Sequence, residues 1–494
     1  MENGCRVQFA ERSTDGGIVR RLTGTFCVLL ALMAGLAGPA QAKTRFTLIG
    51  HGFGHGVGMS QYGALGDAEH GWKFDRILAH YYKGTTLGPA PVAQTSERVL
   101  LTADRTSINV SAASSIQFVD EGGTTNVTLP AGYYGIRPGT NPGRIQVVDL
   151  RNPSRPQVLH GLFGPVVAHP TKTNLVLHNS AGIGFQDDHW RGFFRVIETN
   201  HRVECINVVP VGSYVAGVVP NEVPASWPQA TLRAQAIAAR SYAYRAQPHG
   251  NFDVYSDTRS QAYGPVEREQ PRATAAATAT AGMYVLYKGQ VATTLFSSSS
   301  GGRTSSEQVA FGGDVGQPYL VPVNDPYDAA GGANPNHTWR PVVYTPAGLA
   351  AAFGYPHPVS SIDQAVDPAS LRELRLILHT AAASHTWTGL AVQAHLGLRS
   401  NYFRLFQVTL DRTPRTSRPG RVVHFAGRVW PRPTGTVRVL VHRLGAAGWK
   451  LNPVRVHVGA AGHFRFVERP SATKDYRLRL GSGAVSPVVR VTVG

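Results

Sequence analysis

The chain has 494 residues, of which 42% are hydrophobic and 16% are charged, and its formal net charge is +18. This length allows about two to four domains with full cores, and the composition excludes a disordered polymer. The charge is uneven, since residues 411–494 hold sixteen Lys or Arg and three acidic residues, a net +13. Such a basic tail indicates an anionic partner, and the alternative is a basic surface without a specific ligand.

The first residues resemble an export signal. Arg20 and Arg21 precede an apolar run from Leu22 to Gly38, and Ala40-Gln41-Ala42 offers a cleavage site. We therefore predict a signal peptide over residues 1–42, with an uncleaved membrane anchor as the alternative. Cleavage would leave Cys205 as the single cysteine, and the alternating apolar run around it predicts a buried strand residue rather than a nucleophile.

A glycine-rich stretch, GHGFGHGVG, follows at residues 50–58 and cannot form a regular helix. His51 and His55 suggest a metal site, but no Cys or carboxylate lies nearby to complete one. We favour a turn that places His55 and Gln61 in a polar pocket. From Gly58 or Ser60 to Tyr82 the apolar spacing predicts a helix.

Residues 91–209 are typical of a β-rich region, because short apolar runs alternate with Gly, Pro and Asn clusters. Seven strands are predicted, at residues 99–101, 108–110, 116–119, 127–129, 145–148, 175–177 and 193–197.

The central stretch is Val215–Arg245. An Ala-rich helix is predicted over residues 230–243, with Ser226 and Gln229 as its capping box and Pro228 in its first turn. Because its many small residues let the helix lie close to other backbone, we expect it to form the floor of a groove. Glu222 lies in an apolar stretch just before it, where burial would raise the pKa of a carboxyl and suit a general acid. The alternative is a solvated loop residue.

The remaining chain mixes helices and strands. We predict a helix over residues 271–281, then a hairpin of residues 283–287 and 291–296. The hairpin runs directly into a Ser/Gly tract at residues 297–302. The tract is either a flexible loop or a site lining of hydroxyl and N–H groups. Beyond a Pro/Arg/Thr-rich link at residues 412–420, alternating segments predict a small Ig-like sandwich.

Several segments together resemble the SpoIID/LytB family, that is, stage II sporulation protein D and the amidase enhancer. They are GVVPNEVP at 217–224, AQAIAARSY at 234–242, SQAYG at 260–264, FSSSSGGRT at 296–304, PYL at 318–320, LGLRS at 396–400 and GHGVGMSQ at 54–61. The resemblance spans most of residues 46–403. It implies an α+β fold, with a β-rich SpoIID-like domain around a central groove-lining helix.

The order of these segments departs from the family's usual one, because GHGVGMSQ normally follows LGLRS. This suggests a circular permutation, which is tolerated where the termini lie close together on the surface. It predicts that residues 50–85 pack beside residues 396–403; otherwise His55 and Gln61 are not part of the site. The predicted divisions are residues 43–90 (the permuted segment), 91–209 (β-rich), 210–410 (the catalytic core) and 411–494 (Ig-like).

The resemblance implies lytic transglycosylation of peptidoglycan glycan strands, with Glu222 matching the family's catalytic glutamate. Further family positions are candidates for binding the sugars: His55, Ser60, Gln61, Gln235, Arg240, Tyr242, Gln261, Tyr263, Ser298 and Ser299. Arg240 is equally compatible with a structural role. Some relatives hold a metal through cysteines after the central helix, but residues 246–259 contain none, so no metal or other cofactor is expected.

We therefore predict an exported, wall-associated transglycosylase whose partners are glycan strands and, through the basic tail, anionic wall polymers rather than nucleic acid. One alternative is a non-catalytic amidase enhancer that binds glycan and stimulates a separate amidase. A second alternative is a structural envelope protein, for which Glu222 would be fully hydrated.

Overall fold

The computed structural model describes residues 44–152, 154–178, 188–314, 316–329, 334–432, 437–443 and 448–494. The predicted signal peptide lies outside these residues. Among the described helices, none combines the length and the apolar character needed to cross a membrane.

The N-terminal segment places a glycine-rich loop between a strand and two helices. Its elements are β1 (Thr44–Gly50), β2 (Met59–Ser60), α1 (Gln61–Glu69), α2 (Phe74–Tyr81) and β3 (Thr86–Gly88). The predicted single helix is therefore wrong, because the chain breaks at Gly71, whose φ is +82°. This left-handed conformation cannot continue a right-handed helix.

The β-rich region forms two antiparallel sheets around one apolar core. Its strands are β4 (Ser96–Arg105), β5 (Ile108–Ala112), β6 (Ile116–Asp120), β7 (Asn126–Leu129), β8 (Gly132–Pro138), β9 (Arg144–Asp149), β10 (Gln157–Phe163), β11 (Val166–Pro170), β12 (Leu175–His178), β13 (Asp188–Trp190), β14 (Phe193–Thr199) and β15 (Arg202–Pro210). One sheet has the order β10-β9-β8-β5-β12-β13, and the other contains β4-β15-β14-β11-β6-β7. All seven predicted strands are confirmed. Cys205 is also confirmed as a buried residue of β15, where burial raises the pKa of its thiol.

Three helices and a hairpin follow the sheets. They are α3 (Val211–Glu222), α4 (Gln229–Arg245), β16 (Val254–Tyr255), a 3-10 turn (Val266–Arg268), α5 (Pro271–Ala279), β17 (Tyr284–Tyr287), β18 (Gln290–Val291) and β19 (Phe296–Ser297). The predicted hairpin turn is confirmed, since Lys288 and Gly289 both have positive φ, as a two-residue turn requires. The α4 helix is confirmed, and it packs against α1, α2, α3, α5 and β17.

Two details of this region were predicted wrongly. The chain before Glu222 forms α3, with Pro220 inside its last turn. Ser226 does not cap α4, which starts after Pro228 without a side-chain cap. The Gln229 side chain instead donates to the Arg272 carbonyl at 3.1 Å, so it is not available for a capping box.

The C-terminal part adds small helices and further sheets. Its elements are α6 (Glu307–Phe311), β20 (Val342–Tyr344), α7 (Pro346–Ala352), β21 (Val359–Val366), β22 (Glu373–Thr380), β23 (Ser384–Thr388), α8 (Gly389–Leu396), β24 (Phe403–Thr409), β25 (Asp411–Thr413), β26 (Thr416–Ser417), β27 (Val423–Trp430), β28 (Val437–Arg443), β29 (Lys450–Val456), β30 (His463–Glu468), β31 (Lys474–Leu480) and β32 (Val489–Val493). The strands after β24 form two sheets that share an apolar core, one of order β26-β32-β31-β28-β29 and one built on β27. The fold is thus α+β and strand-rich, while the Ig-like and SpoIID-like assignments stay predictions.

The predicted contact between the two distant family segments is present. Strand β1 pairs with β24 in antiparallel register from Thr44↔Thr409 to Gly50↔Phe403. Beyond the strands, the Gly54 N–H donates to the Arg399 carbonyl at 2.9 Å, and the Ser400 hydroxyl donates to the His51 carbonyl at 2.6 Å. His55 and Gln61 therefore keep their place among the site candidates, and the circular permutation itself stays a prediction.

Candidate active site

Glu222 is the last residue of α3 and is partly buried. The helix ends there because Val223 adopts an extended conformation and Pro224 cannot continue it. The carboxyl group is therefore at the C-terminal end of a helix, not at the start of one as the sequence suggested. This end carries partial negative charge, which disfavours a carboxylate.

Three distant parts of the chain meet at this carboxyl group. The Ala262 N–H donates to Oε1 at 2.8 Å, and the Gln61 side-chain amide donates to Oε2 at 3.0 Å. Ala262 lies in the loop after β16, and Gln61 is the first residue of α1. The permuted segment thus supplies a direct partner of the candidate acid.

Burial and hydrogen bonding act on Glu222 in opposite directions. Burial raises the pKa of this carboxyl, while the donors from Ala262 and Gln61 lower it, and the net result is a raised pKa. Among the described residues, none of the interactions that shift this pKa comes from a second carboxyl group. The site therefore offers one proton-exchanging acid held in a fixed orientation.

Tyr242 on α4 is a half-buried neighbour of this site. Burial raises the pKa of its hydroxyl, a hydrogen bond with Ser260 lowers it, and the nearby Glu222 charge raises it. The hydroxyl consequently stays protonated at neutral pH and can donate a hydrogen bond.

Two predicted glutamines lie in the interior with unmet hydrogen-bonding capacity. Gln261 accepts from the Tyr214 hydroxyl at 2.8 Å, but its Nε2 has no partner among the described residues. Neither polar atom of the Gln235 amide has a partner in the same part of the chain, and both side chains are 0% exposed. A buried polar group without a partner costs about 1–3 kcal/mol, so water is the expected partner for these atoms.

Arg240 and Tyr263 have contacts that suit a supporting role. Arg240 is 1% exposed and donates to the carbonyls of Ala277 at 3.0 Å and Met283 at 3.2 Å, which ties α4 to the end of α5. The Tyr263 hydroxyl donates to Asn207 at 2.8 Å within the sheet core. These contacts fit the structural alternative for Arg240.

Two of the predicted serines, Ser60 and Ser299, donate to Asp328, a residue that no sequence pattern indicated. Its side chain accepts from Ser60 at 2.8 Å, Ser299 at 2.9 Å and His337 at 2.8 Å. Burial alone would raise the pKa of Asp328, but these hydrogen bonds outweigh it and hold the pKa below its usual value. Ser60 also caps α1 by accepting from Gly63. Ser60 and Ser299 thus fix the loop and helix start that position Gln61.

Ser298 and His55 lie at the edges of this arrangement. Ser298 is half-buried and its hydroxyl accepts from Asn336 at 3.3 Å, while its carbonyl accepts from the Tyr62 N–H. Burial first, and the Arg372 charge second, lower the pKa of His55 to about 4, although the Phe296 backbone opposes the shift. His55 is therefore neutral at physiological pH.

An aromatic pair that the sequence did not predict lies close to Gln61. The Tyr62 and Trp227 rings lie 5.2 Å apart with an edge-to-face tilt of 61°, and both are partly exposed. Each follows a site residue closely in the chain, which was the available signal. The pair therefore presents partly exposed aromatic surface beside Gln61.

The candidate site lies in an α+β protein and contains one partly buried carboxyl group, which is held by a backbone N–H and a side-chain amide. Within the described residues, no group of three or more His, Cys, Asp or Glu is arranged to hold a metal. Residues 199–287 match the family described as SpoIID, stage II sporulation protein. This segment, which contains Glu222, belongs to the SpoIID/LytB family, as the motifs predicted.

Curated relatives match parts of this chain, and two of them carry the family's names. An uncharacterized protein from Brachyspira hyodysenteriae is 34% identical over 153 residues, covering 30% of this chain and 41% of that protein. Stage II sporulation protein D from Bacillus subtilis is 29% identical over 143 residues, which cover 25% of this chain and 41% of that protein. The amidase enhancer of the same organism is 54% identical over 44 residues, 9% of this chain and 6% of that protein.

The matched part of the chain spans about two fifths or less of these relatives. No solved structure gives a significant match.

Proposed function

We propose that this chain is an exported lytic transglycosylase that cleaves peptidoglycan glycan strands stripped of stem peptides. The single observation that carries this proposal is the environment of Glu222: a partly buried carboxyl with a raised pKa, held by Ala262 and Gln61. The family assignment of the surrounding segment supports a role at the cell wall.

The proposed reaction needs one carboxyl group. Protonated Glu222 donates its proton to the glycosidic oxygen while the bond from that oxygen to the muramic acid C1 breaks, which leaves oxocarbenium character at C1. The Glu222 carboxylate then accepts the proton of the sugar's own 6-hydroxyl, whose oxygen bonds to C1. The product is a 1,6-anhydro ring, no water is consumed, and Glu222 is protonated again.

The surroundings of Glu222 are consistent with both halves of this cycle. The raised pKa favours the protonated carboxyl, which the first half requires. The Ala262 and Gln61 donors stabilise the carboxylate that exists between the two proton transfers. A glycosidase that uses water would instead place a second carboxyl about 5–9.5 Å away.

The second candidate is an amidase enhancer without its own activity, which the match to the Bacillus subtilis amidase enhancer favours. Both functions require glycan binding, so binding does not separate them. Cleavage that depends on Glu222 does.

The test is mass spectrometry of the products after the purified chain, or its Glu222→Gln variant, is incubated with peptide-stripped and with intact peptidoglycan. We expect anhydro-ended fragments from the unmodified chain, more from the stripped substrate, and a loss of at least about 10³-fold in the variant. Unchanged glycan binding and an unchanged Tm would show that the variant is folded. Absence of cleavage by both proteins, with binding retained, would support the enhancer function.

A further inference from the structure

The outer face of the β28–β31 sheet carries closely spaced arginines. Val437 and Val439 of β28, and Leu478 and Leu480 of β31, point into the core, while Arg438 and Arg479 at the alternate positions are exposed. Arg477 also lies on the outward side of β31 and is partly exposed. We name Arg438, Arg477 and Arg479 the arginine face.

The arginine face places like charges directly opposite each other. Arg438 pairs with Arg479 across β28 and β31, so their Cα atoms are about 5 Å apart. Opposed like charges destabilise a sheet. Burial and the nearby Arg479 lower the pKa of Arg477, which is the effect expected of crowded positive charge.

The described residues provide no carboxylate that neutralises this face. Neither Arg438 nor Arg479 forms an ion pair with any of them. The nearest acidic register position is Asp475, and its carboxylate is held by Arg490 at 2.8 Å and 3.1 Å. The repulsion is therefore left for an external anion to relieve.

The geometry of the face favours one class of anion. Its guanidinium groups start from positions about 5 Å apart across the strands and about 7 Å apart along β31. A guanidinium group binds the two free oxygens of a phosphate in a planar, two-bond arrangement. A polymer with one phosphodiester per short repeat supplies such groups at comparable intervals and keeps its charge at every physiological pH.

An apolar strip borders the arginine face without offering a stacking platform for bases. Arg477 covers the Trp449 ring, with its guanidinium carbon 4.2 Å from the ring centre, and Leu451 beside them is 59% exposed. Binding of single-stranded nucleic acid usually uses aromatic rings open to stacking. The strip instead suits the carbon backbone of a polyol chain.

We propose that the arginine face binds a phosphodiester polymer of the cell wall, a chain of polyols joined by phosphates, and so retains the protein at the wall. This inference rests on the proposed location of the protein at the cell wall, and it specifies the anionic polymer that the protein binds there. It does not depend on Glu222.

The test measures binding of the full chain to soluble poly(glycerol phosphate) at several salt concentrations, for the unmodified protein and for the double variant Arg438→Gln/Arg479→Gln. A matched control, Arg465→Gln/Arg469→Gln, removes the same charge from exposed positions on or beside β30, in the other sheet. We expect about tenfold or greater loss of affinity in the first variant. If each arginine contacts one phosphate, the slope of log K against log salt should also decrease by about 1.4. The control should retain most of the affinity.

Each contrary result has a distinct meaning. Equal losses in the two variants would overturn the proposal in favour of a diffuse charge effect. Tighter binding of polyglutamate, or of a charge-matched oligonucleotide, than of poly(glycerol phosphate) would assign the face to carboxylates or to nucleic acid. Glu222→Gln should bind the polymer normally, and the arginine variant should still cleave soluble glycan fragments, so failure here and failure of the proposed function are distinguishable.

Discussion

Two hydrogen-bond donors and burial set the protonation of Glu222 in opposite directions. Gln61 is the partner that can be changed without altering the backbone, since Ala262 donates through its N–H. The Gln61 contact favours the ionised form and lowers the pKa of Glu222, whereas burial raises it. The effect of the Gln61 hydrogen bond on the pKa of Glu222 should therefore be measurable in the pH dependence of cleavage.

We predict that Gln61→Ala moves the alkaline limb of the kcat/KM profile to higher pH. Removing the donor destabilises the carboxylate, so Glu222 stays protonated to higher pH. One lost hydrogen bond to a charged group corresponds to a shift of about 1 pH unit. The measurement is glycan cleavage across pH 4–9, with an NMR titration of the Glu222 carboxyl as a readout independent of activity.

The exposed residue Gln290 supplies the control for this experiment, since Gln290→Ala should leave both curves in place. A limb that stays where it is, or moves to lower pH, in Gln61→Ala would show that this amide does not set the protonation of Glu222.

At the scale of elements, the glycine-rich loop between β1 and β2 lets the permuted segment approach the Ser/Gly tract. Gly52, Gly54, Gly56 and Gly58 all have positive φ. A Cβ atom on Gly58 would lie 2.0 Å from the Leu295 carbonyl oxygen, which belongs to the backbone and cannot swing away. This close approach allows the Met59 N–H to donate a hydrogen bond to the Leu295 carbonyl, and it allows β2 to pair with β19.

We predict that Gly58→Ala destabilises the protein far more than Gly84→Ala. The two glycines have the same φ of +70°, but a Cβ on Gly84 would meet no atom within 4 Å. The left-handed conformation alone costs a non-glycine residue about 1–2 kcal/mol, and this part is common to both variants. The backbone clash adds to it only at Gly58. Chemical denaturation of both variants measures the difference, and equal losses would contradict the packing described for this loop.

At the scale of the whole molecule, buried carboxyl groups couple the stability of the fold to pH. Asp67 on α1 is 1% exposed, and burial raises its pKa from 3.8 to about 7 against the opposing effects of Arg76 and Tyr81. Burial also raises the pKa of Asp325 to about 8, although hydrogen bonds from Ser300 and Tyr81 oppose it. In the folded state both groups favour the protonated form.

We predict that the contribution of Asp67 and Asp325 to the free energy of unfolding decreases as the pH rises from 4 to 8. A raised folded-state pKa gives a contribution that is complete below the unfolded pKa and is lost as pH rises through the folded pKa. Each such carboxyl contributes a slope of at most about 1.4 kcal/mol per pH unit. Asp67→Asn should therefore make the slope of the unfolding free energy against pH less negative between pH 4 and pH 7 than in the unmodified protein, as measured by urea denaturation.

Glu69→Gln is the matched control for Asp67→Asn, because Glu69 is exposed and lies two residues away on the same helix. The control should reproduce the slope of the unmodified protein. An Asp67→Asn slope that is unchanged or steeper would show that Asp67 is ionised in the folded protein at neutral pH.

The sequence by itself determined the features that depend on local pattern. Alternating apolar residues predicted seven strands and the burial of Cys205, small residues at helical spacing predicted α4, and Gly289 between two apolar runs predicted the hairpin turn at Lys288-Gly289. These features are local because side-chain periodicity and turn preferences act over a few residues. The motif set also sufficed to predict the family of the segment around Glu222.

Only the tertiary structure decided what surrounds Glu222. Helix α3 was missed because Gly217 and Pro220 weaken its local signal, and packing against α4 and α5 supplies the missing stability. Gln61 reaches Glu222 across 161 positions of sequence, and Asp328 joins Ser60 to Ser299 across 268 and 29 positions. No periodicity encodes such contacts, because burial and pairing of distant segments bring them together. The motifs and their family resemblance therefore predicted Glu222 as the candidate acid, while long-range packing supplied the groups that set its protonation.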